Sequence, residues 1–277
     1  MTELAQPGVQ RFALCVEYDG GDFAGWQIQP DQRTVQGCVE TALSDVADAP
    51  VATICAGRTD AGVHALGQMV HFDLDKPRTA RALVQGANAL MPDDARAVFA
   101  VAVDQAFHAR FGAHARTYRY LILNRPQPSA LWRGRALWER RELDLPAMQV
   151  AADCLIGDHD FSAFRAASCQ APNPLRSVHA LTVTRDGPWV MIDITANAFL
   201  QNMVRIIVGT LLRVGRQDAN AQWVAQVLAA RDRGHRGTTA PPHGLYFASV
   251  RYDAAYALPS NAISAAPSAL TSTIMAP

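Results

Sequence analysis

Residues 51–72 read VATICAGRTDAGVHALGQMVHF, with apolar segments at either end and a glycine-rich loop between them. The segments 51–55 and 68–72 are typical of strands. The loop joins them through GRTDAGVHA, residues 57–65, in which two glycines bracket Asp60. Glycine permits positive φ angles and a close approach of a second molecule, so the stretch predicts a carboxylate presented in the open between two strands.

The segments that flank this stretch alternate between strand and helix. Apolar runs predict strands at 12–18 and 97–102, and apolar residues at spacings of three and four predict helices at 34–47 and 79–90. Together with the two central strands, the order is strand, helix, strand, strand, helix, strand. That order is ferredoxin-like.

The second half of the chain mixes the same elements. Alternating segments around Asp186-Gly187 indicate a β-hairpin, because an Asp-Gly pair favours a tight turn. The remaining pattern predicts strands at 116–124, 177–184, 190–195 and 245–252 and helices at 144–155, 200–214 and 222–231. We therefore predict an α+β fold with two ferredoxin-like α/β halves, whose mostly antiparallel sheets flank a central active-site cleft.

The predicted boundary between the halves separates residues 1–105, which carry the Asp60 loop, from residues 106–253. Residues 254–277 are rich in alanine, serine, threonine and proline without periodicity, and we expect a disordered tail there. With 277 residues, of which 49% are hydrophobic and 18% charged, the chain suits well-packed globular domains and does not suit a coiled coil or a disordered protein.

Composition also limits the function. No run of eighteen apolar residues and no signal peptide are visible, which favours a cytoplasmic protein without a membrane span. Five cysteines without a Cys-x-x-Cys pair argue against a disulfide framework and a zinc site, so we expect no metal. A formal net charge of +0 is unfavourable for binding nucleic acid, but Lys76 is the only lysine, and arginine suits contacts to phosphates and stacked bases.

Five side chains are candidates for a functional site, and each has an ordinary structural alternative. Asp60 fits an Asx-turn in a surface loop, and Tyr118 fits an aromatic core position on a strand. Arg205, inside an apolar helix, fits a helix-face arginine whose head reaches water. Leu245 fits the first residue of a buried strand. Arg58 stands two residues before Asp60, where its charge favours the ionised carboxylate.

The loop GRTDAGVHA and six further blocks resemble the tRNA pseudouridine synthase A family, in the family's order and over roughly residues 10–252. The other blocks lie at 16–27, 68–72, 116–120, 157–164, 199–209 and 241–246. The resemblance implies the pseudouridine synthase fold and a cofactor-free isomerase that acts as a homodimer. It implies conversion of uridine to pseudouridine at positions 38–40 of tRNA, in the anticodon stem-loop, after the base is flipped out of its stack.

The resemblance also implies a role for each candidate. Asp60 matches the family's nucleophile, and an aspartate is ionised at neutral pH without prior activation. Tyr118 matches the tyrosine that stacks on the target base, and Leu245 matches a leucine that packs near it. Arg205 matches the active-site arginine that pairs with the nucleophile. Arg58 would then help to extrude or replace the flipped uridine.

The chain departs from the family at positions that concern RNA binding. Ile28 stands where many members have a basic residue, and Gln201 and Asn202 replace imidazoles. Phosphate contacts then fall to other arginines, with candidates at Arg11, Arg78, Arg81, Arg110, Arg116 and Arg165.

Two other classes of function stay open on the residues alone. One is a catalytically silent RNA-binding protein or tRNA chaperone. The other is a metal-dependent phosphodiesterase using Asp19, Asp22 and Asp60, although these carboxylates lack a recognisable ligand spacing.

Overall fold

The computed structural model describes residues 8–259 of the chain. Within that range the backbone forms two compact units, one made of 8–114 with 247–259 and the other of Ala115–Tyr246. Most of the predicted tail at 254–277 lies outside the described residues. In the described range, no helix has the length and hydropathy needed to cross a membrane.

The first unit contains the elements predicted around the Asp60 loop. They are β1 (Gln10–Tyr18), α1 (Val35–Ala47), β2 (Ile54–Cys55), β3 (His64–Leu74), α2 (Ala80–Leu90) and β4 (Ala95–Val103). The strands lie in the order β4-β1-β3-β2, and every neighbouring pair is antiparallel. The predicted succession of strands and helices is confirmed, and it places β1 in the interior of the sheet.

Both helices of this unit begin where a threonine caps them. The Thr34 hydroxyl accepts the backbone N–H of Gly37 at the start of α1, and the Thr79 hydroxyl accepts that of Ala82 at the start of α2. Such caps satisfy amide groups that have no partner within the helix. Apolar residues at three-and-four spacing, such as Val39 in α1, then turn inward and are fully buried.

The second unit contains a run of antiparallel strands, one short parallel strand and three helices. Its elements are β5 (Ala115–Asn124), β6 (Leu137–Glu139), α3 (Leu145–Asp153), β7 (Gly157–Asp160), β8 (Leu175–Asp186), β9 (Trp189–Ala196), α4 (Met203–Gly215) and α5 (Ala221–Ala230). The strand order is β5-β9-β8-β7, and β6 pairs with β5 in parallel. The last strand, β10 (Leu245–Arg251), has its first two residues in this unit and the others in the first unit.

The predicted hairpin and the predicted fold class are confirmed. Strands β8 and β9 pair directly across the Asp186-Gly187 turn, and Gly187 has a φ of +55°, a left-handed conformation that glycine adopts without strain. Helices and mostly antiparallel sheets together make an α+β fold. The short strands β6 and β7 were absent from the sequence prediction.

A buried ion pair marks one face of β5. Arg119 and Asp193 are directly paired across β5 and β9, and two hydrogen bonds of 2.7 Å join the guanidinium to the carboxylate. Arg119 is 1% exposed. Because successive strand residues point to opposite faces, Tyr118 and Tyr120 share the other face of β5.

Candidate active site

The loop that carries Asp60 connects β2 to β3 in the first unit. Asp60 is half-buried and its neighbour Thr59 is buried, whereas Arg58 and Ala61 are exposed. The backbone N–H of Val63 donates to the Asp60 carbonyl at 3.2 Å, closing a tight turn, and Gly62 within that turn has a φ of +76°. The turn therefore presents Asp60 just before β3, a mostly buried strand.

Two side-chain contacts fix this loop against the underlying sheet. The hydroxyl of Tyr18 lies 2.7 Å from that of Thr59, and the side-chain amide of Gln68 donates to the Gly57 carbonyl at 2.5 Å. Gln68 is fully buried. Burial raises the pKa of the Tyr18 phenol above its usual range, so the hydroxyl remains neutral and able to donate.

A second loop, between β1 and α1, packs against the Asp60 loop through glycines. The Trp26 N–H donates to the Thr59 carbonyl at 3.0 Å. Gly25 has a φ of +102°, and a Cβ atom there would lie 2.8 Å from the same Thr59 oxygen. A Cβ on Gly20 would lie 2.0 Å from the Val63 carbonyl oxygen. Only glycine allows both approaches.

His64, at the start of β3, adds a further contact between the loop after β1 and the Asp60 region. Its ring is buried, and Nδ1 lies 3.0 Å from the backbone N–H of Gly20 and 2.9 Å from a carboxylate oxygen of Asp19. An unprotonated Nδ1 accepts the Gly20 N–H, whereas a protonated one donates to Asp19. In either form, His64 binds the loop after β1 to the strand that follows Asp60.

Two arginine charges act near the start of the Asp60 loop. Burial raises the pKa of the Cys55 thiol to about 11, and the charges of Arg58 and Arg110 oppose that rise. Both guanidinium groups therefore act on the end of β2, from which the Asp60 loop departs. A positive potential of this kind favours ionised carboxylates and attracts phosphate.

In the second unit, Tyr118 lies on β5 with most of its surface covered. It is 8% exposed, and its ring meets that of Phe199 edge-to-face with centroids 5.0 Å apart. The core packing that the strand pattern indicates for Tyr118 is therefore present. A fixed ring of this kind is preorganised for a stacking contact.

Arg205, on the first turn of α4, is half-buried and binds two oxygen atoms. Its Nε donates to the Ala240 carbonyl at 2.7 Å, and its Nη1 donates to the side-chain oxygen of Asn202 at 3.0 Å. The Ala240 N–H in turn donates to the Arg205 carbonyl at 2.9 Å. The guanidinium is thus oriented by the segment that leads into β10, and it is not a side chain that simply extends to water.

Tyr120 holds the next residue of that segment. Its hydroxyl donates to the Pro241 carbonyl at 2.8 Å, and a Cβ atom on Gly244 would lie 2.7 Å from its ring. Leu245 follows at once and is 5% exposed. Arg205 and Tyr120 together position the approach to Leu245, a function of Tyr120 that the sequence pattern did not indicate.

Comparison with known proteins identifies the family. A family model described as tRNA pseudouridine synthase matches residues 14–112 and 151–253. The chain belongs to the tRNA pseudouridine synthase family. A protein named tRNA pseudouridine synthase A from Methylococcus capsulatus is 49% identical over 253 residues, covering 91% of this chain and 93% of the relative.

A second relative agrees with this membership. A relative of the same name from Alcanivorax borkumensis is 48% identical over 250 residues, covering 90% of this chain and 94% of that protein. A solved structure described as a Cbf5-Nop10-Gar1 complex matches with 12% identity and a TM-score of 0.32, over 72% of this chain and 54% of that chain. That last likeness is too distant to carry an argument.

The arginines named from the sequence as candidates for phosphate binding fall into two groups in the structure. Arg11 donates to the carbonyls of Gln105 and Phe107 and pairs with Asp73, so its guanidinium holds the fold. Arg78 and Arg116 likewise donate to backbone carbonyls. The side chains of Arg81 and Arg110 are exposed.

Among the described residues, no group of three histidine, cysteine, aspartate or glutamate side chains is arranged to hold a metal ion. Within the Asp60 region, Asp19 instead contacts His64 and accepts the N–H of Gly21.

Proposed function

We propose that this member of the family isomerises uridine to pseudouridine in the anticodon stem-loop of tRNA, at positions 38–40, with Asp60 as the nucleophile. The observation that carries the proposal is the GRTDAGVHA loop, which is present in full in a chain that matches the family over most of its length. The loop is held by Tyr18, Gln68 and Trp26, as a preorganised catalytic group requires.

The reaction conserves every atom of the nucleotide except for one exchanged hydrogen. The bond between C1′ and N1 breaks, the base rotates, and a new bond joins C1′ to C5. The hydrogen on C5 leaves as a proton, and N1 gains one. No electrons are transferred to an outside acceptor, so the balance closes without a redox partner.

Each of the remaining site residues has a proposed part in that sequence. Tyr118 stacks on the extruded base, and Leu245 packs against it. Arg205 keeps Asp60 ionised through its charge. Arg58, which is exposed on the same loop as Asp60, helps to extrude the uridine or occupies its place in the stack.

The finer aspects of the setting are proposals as well. The enzyme works as a homodimer in the cytoplasm, and a second copy compensates for the formal net charge of +0 by adding a second set of arginines. Sedimentation of the free enzyme and of its tRNA complex measures the number of chains directly. A monomer in both states contradicts the dimer.

The decisive experiment measures tritium release from tRNA labelled at C5 of uridine. We expect release by the wild-type enzyme that is insensitive to a chelator and absent in Asp60→Asn, while Asp60→Asn still binds tRNA. If the wild type binds tRNA tightly but releases no tritium from any tRNA offered, the protein is a catalytically silent RNA-binding protein and not an isomerase. Release that stops on chelation would contradict a cofactor-free reaction.

A further inference from the structure

A short turn in the first unit presents an aromatic ring to solvent. Phe111 is 76% exposed, although Phe107 and Ala109, just before it, are fully buried. The turn is closed by the Gly112 N–H, which donates to the His108 carbonyl at 2.8 Å. A Cβ atom on Gly112 would lie 2.9 Å from that oxygen. The hydrogen-bonded turn therefore keeps the Phe111 ring exposed to water, at a cost in hydrophobic free energy.

Two imidazole rings, those of His108 and His71, pack one after the other next to Phe111. The rings of Phe111 and His108 have centroids 4.5 Å apart and are tilted by 33°, and His71 lies 4.6 Å behind His108. His108 Nδ1 accepts the N–H groups of Arg110 and Phe111, and His71 Nδ1 accepts that of Ala109. Both imidazoles use Nδ1 as an acceptor, so the turn is built on neutral rings.

A cation completes the arrangement. The guanidinium carbon of Arg110 lies 5.4 Å from the centroid of the Phe111 ring, within range of a cation–π contact. Arg110 is exposed, and its charge acts on the Cys55 thiol together with that of Arg58. The cation beside the exposed ring and Arg58 of the Asp60 loop thus act on the same thiol.

We propose that Phe111, supported by His108 and accompanied by Arg110, is a stacking platform for one unpaired base of the RNA substrate, with Arg110 on a neighbouring phosphate. This inference rests on the proposed function for its ligand class. Exposed aromatic rings and guanidinium planes are what proteins use to bind unpaired nucleotides. Phenylalanine has no hydrogen-bonding atom, so the platform accepts any base.

The surroundings favour RNA over a protein partner. The centre of a protein interface is an extended apolar area with few charges. Phe111 instead lies between Arg110 and Gly112 in sequence and packs at a tilt against an imidazole ring. A single aromatic ring beside a positive charge is complementary to a nucleotide, in which the π-face of the base is attached to a negatively charged phosphate backbone.

The test compares tRNA binding by substituted enzymes in an Asp60→Asn background, so that no turnover occurs. Stacking contributes about 1–3 kcal/mol per base, so we expect Phe111→Ala to raise Kd by roughly 5- to 150-fold. Phe111→Trp keeps a π-face and should bind like the parent, whereas Phe111→Leu keeps apolar area and should bind like Phe111→Ala. Leu90→Ala, another exposed apolar position in the same unit, is the matched control.

Salt dependence separates the two side chains. Phe111→Ala should leave the slope of log Kd against log salt unchanged, because no phosphate contact is lost. Arg110→Gln should reduce the magnitude of that slope by the amount that one phosphate contact contributes. Equal binding by Phe111→Ala and its parent, or full binding by Phe111→Leu, overturns the platform.

Two further measurements keep this proposal apart from the proposed function. Sedimentation of Phe111→Ala tests whether the ring joins two copies of the chain, and an altered number of chains overturns RNA stacking. Tritium release by the enzyme with Asp60 intact tests the reaction independently of Kd. If the enzyme binds RNA through Phe111 but releases no tritium, the isomerase proposal is contradicted and the stacking platform is retained. If the enzyme binds no tRNA, both proposals are contradicted.

Discussion

The hydroxyl of Tyr18 lies 2.7 Å from the hydroxyl of Thr59, and this contact ties β1 to the residue that precedes Asp60. Both side chains are buried. A hydrogen bond that joins the interior strand of a sheet to the base of the Asp60 loop limits how far the loop can shift. Proximity effects in catalysis are steep, so the contact should matter for rate as well as for stability.

We expect Tyr18→Phe to lower the free energy of unfolding by about 1 kcal/mol, because Thr59 loses a buried partner. The rate of the chemical step should fall by roughly tenfold while Kd for tRNA stays constant, since a loop displaced by less than 1 Å still binds RNA. Urea denaturation and single-turnover tritium release measure the two effects. Thr59→Val and the double variant complete a cycle, and strict additivity of the two changes contradicts the coupling.

Gly25→Ala should disturb the same loop from the opposite side. Its φ of +102° is unfavourable for alanine, and the new Cβ would meet the Thr59 carbonyl at 2.8 Å. We expect a loss of about 2 kcal/mol or more in the free energy of unfolding, together with loss of tritium release. Gly134→Ala is the matched control, because Gly134 also has a positive φ, of +76°, but nothing lies within 4 Å of its Cβ position.

The comparison of these two glycines separates strain from contact. Gly134→Ala should lose stability through backbone strain alone and should keep its activity. If both variants lose activity to the same extent, the approach of Gly25 to Thr59 does not position Asp60.

Arg205→Lys tests whether orientation or charge matters on α4. A lysine keeps the charge but has no planar fork to hold both the Ala240 carbonyl and the Asn202 side chain. We expect kcat for tritium release to fall by roughly tenfold or more, since an effect of about 1.4 kcal/mol on the transition state suffices. Arg213→Lys, on the same helix beside Trp223, should keep wild-type kcat.

Local signals account for the parts of the fold that were predicted well. Helices α1 and α2 are specified by a capping threonine and an apolar spacing that lie within the helix itself. Strand β2 was predicted over 51–55 but contains only Ile54–Cys55. The Val51 N–H donates to the Ser44 hydroxyl, and the Thr53 N–H donates to the Glu40 carboxylate, so side chains of α1 take the backbone groups that a strand would use.

Long-range pairing explains what the pattern did not show. Strand β7 reads GDHD and has no apolar alternation, and it is a strand because β8 pairs with it. The Asp60 loop was recognisable from its glycines and carboxylate. Its supports were not, because Tyr18 and Gly25 act on it from positions distant in sequence. The hold of Tyr120 on Pro241, 121 positions apart, likewise has no local signal.

His71 should make stability depend on pH. Burial lowers the pKa of His71 to about 4, with the charge of Arg11 and the neighbouring His108 acting in the same direction and Asp73 acting against them. The unfolded chain therefore binds a proton at His71 that the folded chain rejects between about pH 6.5 and pH 4. The stabilising contribution of the neutral ring is fully present above that window and is lost as the pH falls through it.

We therefore expect the free energy of unfolding to be lower at pH 5 than at pH 7, and His71→Asn to weaken that dependence. Asparagine is chosen because its side-chain oxygen can accept the Ala109 N–H that His71 Nδ1 accepts at 3.1 Å. Urea denaturation at the two pH values measures the difference, with His114→Asn, an exposed position after the same turn, as the control. An unchanged pH dependence in His71→Asn would show that the charge change of this ring does not control the stability of the turn that presents Phe111.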